Sequence, residues 1–145
     1  MKKCLSVILF FFLGWSFAQT TDRELVSTTV NQLFTAIANV DEKGIRESFT
    51  EKPILETINK EGEVHGDQLE DFITIVKNNE GSLVEKIEIA NINVDGNLAS
   101  VWAPYQFFYN EKFSHCGVNQ LTLVKVKNTW KILHIIDTRR KENCN

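Results

Sequence analysis

The chain is short of positive charge: 16 Lys and Arg face 19 Asp and Glu, a formal net charge of −3 over 145 residues. No basic stripe stands out, and following a phosphate backbone needs one, so nucleic acid is set aside as a partner. Metal-binding signatures are missing too. The three His (His65, His115, His134) are scattered, there is no HExxH, and no Cys-x-x-Cys spacing occurs. No metal is therefore expected. Glycine-rich phosphate loops are absent, and no cofactor is expected. After residue 18 no apolar run nears the ~20 residues that span a bilayer as a helix. Repeats, low-complexity tracts and linkers are also lacking, and 145 residues are too few for two ordinary domains.

The amino terminus has its own pattern. Lys2 and Lys3 precede an apolar run from Leu5 to Phe17, broken only by Ser6, Gly14 and Ser16. Ser16 and Ala18 then occupy the −3 and −1 positions before Gln19. That order reads as a secretory signal peptide over residues 1–18, so export to the periplasm or the medium is expected. A retained anchor would need a longer run. No Cys follows the run, which argues against a lipoprotein. Cleavage leaves residues 19–145 as one domain of 127 residues and takes the formal charge to −5.

Cys4 leaves with the leader, and Cys116 and Cys144 remain. An even pair in an oxidising compartment invites a disulfide. Closing their separation of 28 residues is worth about 3.5 kcal/mol in the chain-entropy picture. One buried thiol and one loose tail thiol is the other arrangement open to the pair.

Thr21 with Glu24 three residues on fits a capping box. Val26, Val30, Leu33, Ile37 and Val40 then form one stripe of a helix ending near Asn39. Asp41 can cap a short second helix that turns Ile45 and Phe49 inward. Short extended pieces follow at 53–58 and 63–65, joined across Glu61-Gly62. Asp67 with Glu70 starts a third helix whose inner stripe is Leu69, Phe72, Ile73 and Val76. From Leu83 the period becomes strand-like, with strands at 84–94, 98–109, 113–126 and 130–139. Asp95-Gly96, Asn110-Glu111 and Lys127-Asn128 separate them, the last two without the glycine that tight hairpins prefer. Helices gathered on one face of four long antiparallel strands make an α+β fold.

This order of elements has three local features: the acidic turn Asn39-Val40-Asp41, the strand Asn97-Leu98-Ala99-Ser100-Val101-Trp102, and the closing Trp130-Lys131-Ile132. Together they resemble the nuclear transport factor 2-like superfamily, which includes the SnoaL-like and ketosteroid-isomerase-like proteins. Residues 101–112 and the ending Ile135-Ile136-Asp137-Thr138-Arg139-Arg140 resemble its exported subgroup labelled "putative lumazine-binding". The resemblance covers nearly the whole mature chain. It implies a cystatin-like, cone-shaped roll: a curved antiparallel sheet packed on the N-terminal helices, with a pocket for a small organic ligand. It also implies a homodimer through the outer sheet. Such folds carry isomerases, cyclases, dehydratases and non-catalytic proteins alike.

Uninterrupted two-residue hairpins would place Cys116 opposite both Tyr105 and Arg139, and Gln120 opposite Val101 and Ile135. One face then holds Val101, Ala103, Tyr105, Phe107, Cys116, Val118, Gln120, Thr122, Leu133, Ile135, Asp137 and Arg139. In SnoaL-like cyclases an acidic residue late in the last strand points into the cone. Asp137 resembles it, which makes this face the interior. Tyr105, Phe107, Gln120, Asp137 and Arg139 are thus the expected ligand contacts. Asp137 and Arg139 can equally form a simple rim ion pair, and Tyr105 and Gln120 can serve the core. Asp137 is the one candidate for acid–base catalysis. The SnoaL-like pattern pairs its Asp with a His, and here His115 and His134 fall on the opposite face. The leading expectation is a non-catalytic binder of a small ligand. An acid–base enzyme using Asp137 comes second. A dimeric interaction module with Trp102, Phe108 and Ile132 on its outer sheet comes third.

Overall fold

A computed structural model describes residues 21–144. The leader expected over residues 1–18 lies outside the described residues. In chain order the elements are α1 (Asp22–Ala38), α2 (Glu42–Ser48), β1 (Phe49–Ile58), β2 (Val64–Asp67), α3 (Leu69–Asn78), β3 (Leu83–Ile87), β4 (Asn91–Asp95), β5 (Leu98–Tyr109), β6 (Lys112–Val126) and β7 (Thr129–Thr138). Among the described residues no helix is long and apolar enough to cross a membrane.

Local chemistry sets the helix ends. The Thr21 hydroxyl accepts from the Glu24 N–H, and the Glu24 carboxylate accepts from the Thr21 N–H, so two orphan donors of α1 are satisfied reciprocally. Val26, Val30 and Leu33 are buried. Val40, expected on the same stripe, lies past the helix end at φ 54° and is exposed. Asp41 caps α2 by accepting from the Gly44 N–H at 3.0 Å. Asp67 does not start α3: it ends β2 opposite Leu55, and Gln68 occupies the cap without a side-chain hydrogen bond.

The seven strands form one sheet in the order β2-β1-β7-β6-β5-β3, with β4 also paired to β5. It is not wholly antiparallel, because β1 runs parallel to β7. No hairpin links those two strands, so turn geometry does not constrain their relative direction. The strand expected at 84–94 is broken into β3 and β4, which lie end to end along β5. The Glu88 N–H donates to the Pro104 carbonyl and the Ala90 N–H to the Trp102 carbonyl, leaving Ile89 as an extra residue opposite the proline. Asn110-Glu111 (φ 49° and 63°) and Lys127-Asn128 (φ 47° and 64°) are left-handed at both positions, which tight hairpins require even without glycine.

Two bulges decide which side chains face the helices. Between β5 and β6, Phe108 pairs with Phe113 but Phe107 with His115, so Ser114 is extra. Between β6 and β7, Leu123 pairs with Ile132 but Thr122 with His134, so Leu133 is extra. The first bulge reverses the faces of β6. The second restores the distal half of β7 to the expected face and leaves its proximal half reversed. Leu121, Leu123, Trp130 and Ile132 therefore join Val101 and Ala103 in the core. Val118, Gln120, Thr122 and Leu133, expected inside, lie on the outer face. Ile132, expected on an outer surface, is fully buried. The Trp130 indole N–H and the Lys125 ammonium both donate to Asp22 Oδ1, tying α1 to the sheet.

Cys116 is bonded to Cys144, with a Cα–Cα distance of 5.8 Å. Cys116 and Arg140 also exchange two backbone hydrogen bonds of 2.8 Å. Cys116, expected on the inner face, is thus buried on the outer face against the tail. Its neighbour Gly117 lies against the end of β7. A Cβ there would stand 1.7 Å from the Thr138 carbonyl oxygen, so only glycine permits the approach.

Candidate functional site

The helices do not fill the concave side of the sheet. A cavity of about 310 Å³ remains between α1, α3, β1 and the sheet. Leu33, Phe34, Ile37, Phe49, Leu55, Phe72, Val76 and Ile135 supply apolar walls. Polar side chains come from Thr57 on β1, Glu85 on β3, Tyr105 on β5, His115 and Asn119 on β6, and Asp137 and Arg139 on β7. Apolar walls with a few converging polar groups are the usual form of a small-ligand site. A larger open groove of about 650 Å³ runs along α1, α2 and the start of β7. Ser27, Thr28, Asn31, Gln32 and Thr35 line it from α1, and Trp130 from β7.

Four of the five expected contacts, Tyr105, Phe107, Asp137 and Arg139, line the cavity. Gln120 does not. The Ser114 bulge turns it outward, where its amide donates to the Thr122 hydroxyl at 3.4 Å. Its place is taken by the neighbour Asn119, which pairs with Asp137 across β6 and β7 and is buried. The same bulge corrects His115, which was expected on the outer face. Its ring packs at 4.9 Å from Phe107 and edge-on to Tyr105 at 5.8 Å.

Asp137 is surrounded by donors. Thr57 Oγ1 donates to Oδ1 at 2.6 Å, Tyr105 Oη to Oδ2 at 2.8 Å and Arg139 Nε to Oδ2 at 3.0 Å. Arg139 Nη2 also donates to Thr57 Oγ1 at 3.0 Å, closing the cluster. The Tyr105 hydroxyl lies within 3.0 Å of the Thr138 carbonyl too. The Asp137 side chain is 12% exposed and that of Arg139 54%, so the guanidinium stands at the mouth. Burial, together with the charge and hydrogen bond of Asp137, pushes the Tyr105 phenol well above its usual range. Burial works against the Arg139 charge, but its hydrogen bond to Asp137 and the charge there outweigh it and raise the guanidinium.

Glu85 is arranged differently. Asn119 Nδ2 donates to its Oε1 at 2.5 Å. Burial pushes this carboxyl up to about 7, against the lowering effect of the Asn119 bond and with a further push from the Asp137 charge. Burial, then the Arg139 charge, holds the His115 imidazole below its usual value. Glu85 and Asn119 were missed in the sequence, although Glu85 carried a signal. It stands between Leu83 and Ile87 on one strand face, an acid where alternation calls for an apolar residue. Among the described residues no group of three or more His, Cys, Asp or Glu could hold a metal ion.

A curved, unclosed sheet around N-terminal helices, with a cavity on its concave side, defines the cystatin-like, nuclear transport factor 2-like class. Residues 21–135 match the model of the family described as "Putative lumazine-binding", and the chain belongs to that family. No curated protein matches the chain. Solved structures share the fold. A nuclear transport factor 2-like protein of unknown function from Shewanella baltica OS155 is 14% identical, with a TM-score of 0.66 over 86% of this chain and 100% of that one. A protein of unknown function with a cystatin-like fold from Nostoc punctiforme PCC 73102 is 9% identical, with a TM-score of 0.67 over 83% and 92%. A "putative aromatic ring hydroxylase" from Novosphingobium aromaticivorans is 16% identical, with a TM-score of 0.66 over 81% and 88%. At these identities the likeness concerns the fold alone.

Proposed function

We propose that the protein is exported and holds a small organic molecule in the concave cavity without transforming it. The observation that carries this reading is the pairing of apolar walls with a polar cluster already satisfied within itself. Asp137 accepts from three donors, so it is tied up as a base and suited instead to hold Arg139 and Tyr105 in place. Tyr105 and Phe107 contact the flat part of the ligand, and Arg139 covers the mouth. The family's description supports a small ligand. The Cys116–Cys144 bond supports an oxidising destination. The test is native mass spectrometry of the mature protein purified from its own host, followed by Asp137→Ala and Arg139→Ala. A co-purified small molecule bound less tightly by both variants is expected. Wild-type affinity in both would remove these residues from the site.

A second reading, an acid–base enzyme, is favoured by Glu85 rather than Asp137, because a cavity carboxyl near 7 suits proton transfer at neutral pH. It predicts turnover of the co-purified molecule that Glu85→Gln abolishes. Self-association through the outer sheet is supported by Trp102, 52% exposed, and Phe113, 46% exposed. Sedimentation as a monomer at high concentration would remove the homodimer.

A further inference from the structure

Of the carboxylates that line the cavity, Asp137 is saturated by three donors and Glu85 is not. Among the described residues Glu85 Oε2 and Asn119 Oδ1 accept no hydrogen bond, while the other oxygen of Glu85 takes the Asn119 amide proton. We propose that Glu85 and Asn119 form the recognition edge of the cavity, and that its ligand is a compact, flat molecule presenting N–H donors, neutral or cationic, in preference to a carboxylate or phosphate. This rests on the small-molecule reading above and names the chemical class for that site.

Three observations converge on it. The first is placement. Glu85 lies on the inner face of β3 opposite Phe107, and Asn119 lies on the inner face of β6 opposite Ala103 and Asp137, so the pair brackets β5 from both sides. The second is hydrogen-bonding capacity. Above its midpoint near 7 the ionised Glu85 carboxylate and the Asn119 amide oxygen are acceptors only, and a ligand that fits them must donate. The third is charge. Glu85, Asp137, Asp67 and the His134-paired Glu56 line the cavity, whereas Arg139, the one Lys or Arg among its described lining residues, has Nε and Nη2 committed to Asp137 and Thr57. An anion entering this space meets an excess of like charge, and a cation gains a charge-assisted bond to Glu85. The Phe34, Phe72 and Phe107 rings offer flat apolar contact. A volume of about 310 Å³ holds a compact molecule.

Benzamidine, benzamide and benzoate share one ring and differ only in the polar end: a cationic double donor, a neutral donor and acceptor, and an anionic acceptor. Their affinities for the purified, disulfide-bonded protein at pH 8 are read from protein NMR shifts at Tyr105, Phe107 and Asn119. Benzamidine is expected to bind about tenfold tighter than benzoate, with benzamide between them. Glu85→Gln keeps an acceptor for Asn119 and is expected to weaken benzamidine about tenfold while changing benzamide by less than about threefold. Benzoate binding tightest would overturn this proposal and assign recognition to Arg139, leaving the small-molecule reading intact. Benzamidine affinity unchanged in Glu85→Gln, or shifts confined to residues outside the cavity, would also overturn it. If none of the three moves a cavity resonance, both this proposal and the small-molecule reading fall.

Discussion

At Asp137 three donors, from Thr57, Tyr105 and Arg139, converge on two carboxylate oxygens; at Glu85, in the same cavity, one amide proton reaches one oxygen. Both are strand carboxylates facing the same space. The difference lies in their neighbours. Asp137 stands at the pinned end of β7, where the Cys116–Arg140 bridge, the Cys116–Cys144 bond and the close passage over Gly117 bring hydroxyl and guanidinium groups to it. Glu85 comes from β3 on the far side of β5 and meets mainly apolar surface. One carboxylate is committed to holding the fold together at the rim. The other keeps unused acceptor capacity.

Disturbing the pinned end should have the largest effect. Gly117→Ala drives a methyl into the Thr138 carbonyl and is expected to destabilise by about 4 kcal/mol or prevent folding, as read by urea denaturation. Next comes Asp137→Ala, which removes the acceptor shared by Thr57, Tyr105 and Arg139; about 2 kcal/mol should be lost, because Tyr105 keeps the Thr138 carbonyl and Arg139 keeps Thr57 and solvent. The unsaturated carboxylate should behave oppositely. Its folded value is raised from 4.5 to about 7, so the folded chain keeps a proton that the unfolded chain releases, and stability falls as pH rises through that window. Glu85→Gln removes this loss. It should stabilise by about 2 kcal/mol at pH 8, a figure reduced for the partial exposure of the residue, and change little at pH 4. A destabilised Glu85→Gln at pH 8 would mean that the two carboxylates are alike after all. The smallest effect is Tyr105→Phe, which removes one donor from the saturated cluster at about 1 kcal/mol, as read by urea denaturation.

The starts of α1 and α2 were legible because caps are local: Thr21 with Glu24, and Asp41, act within one turn, whereas α3 starts after Gln68 with no side-chain cap to mark it. The hairpins were legible from their two-residue gaps. Register was the less legible step, because a bulge leaves no fixed mark in composition. Nothing about Ser114 or Leu133 announces an extra residue, yet each reverses every side chain beyond it. Asp137 and Arg139 were placed on the cavity side because the two bulges cancel along the distal half of β7. Gln120 was misplaced because only the first acts on β6. His115 and Asn119 were lost to the same parity. Glu85 was overlooked for another reason: the strand at 84–94 was read without a sheet face, so an acid between Leu83 and Ile87 had no inside to violate.

The most direct test of the contrast between the two carboxylates is a carbon-detected NMR titration of the Glu85 side chain in the disulfide-bonded protein, with and without saturating benzamidine. A midpoint near 7 is expected in the free protein, and a lower midpoint once the cation is bound, because a nearby positive charge favours the ionised form. A midpoint near 4.5, or one that benzamidine leaves unmoved, would contradict it.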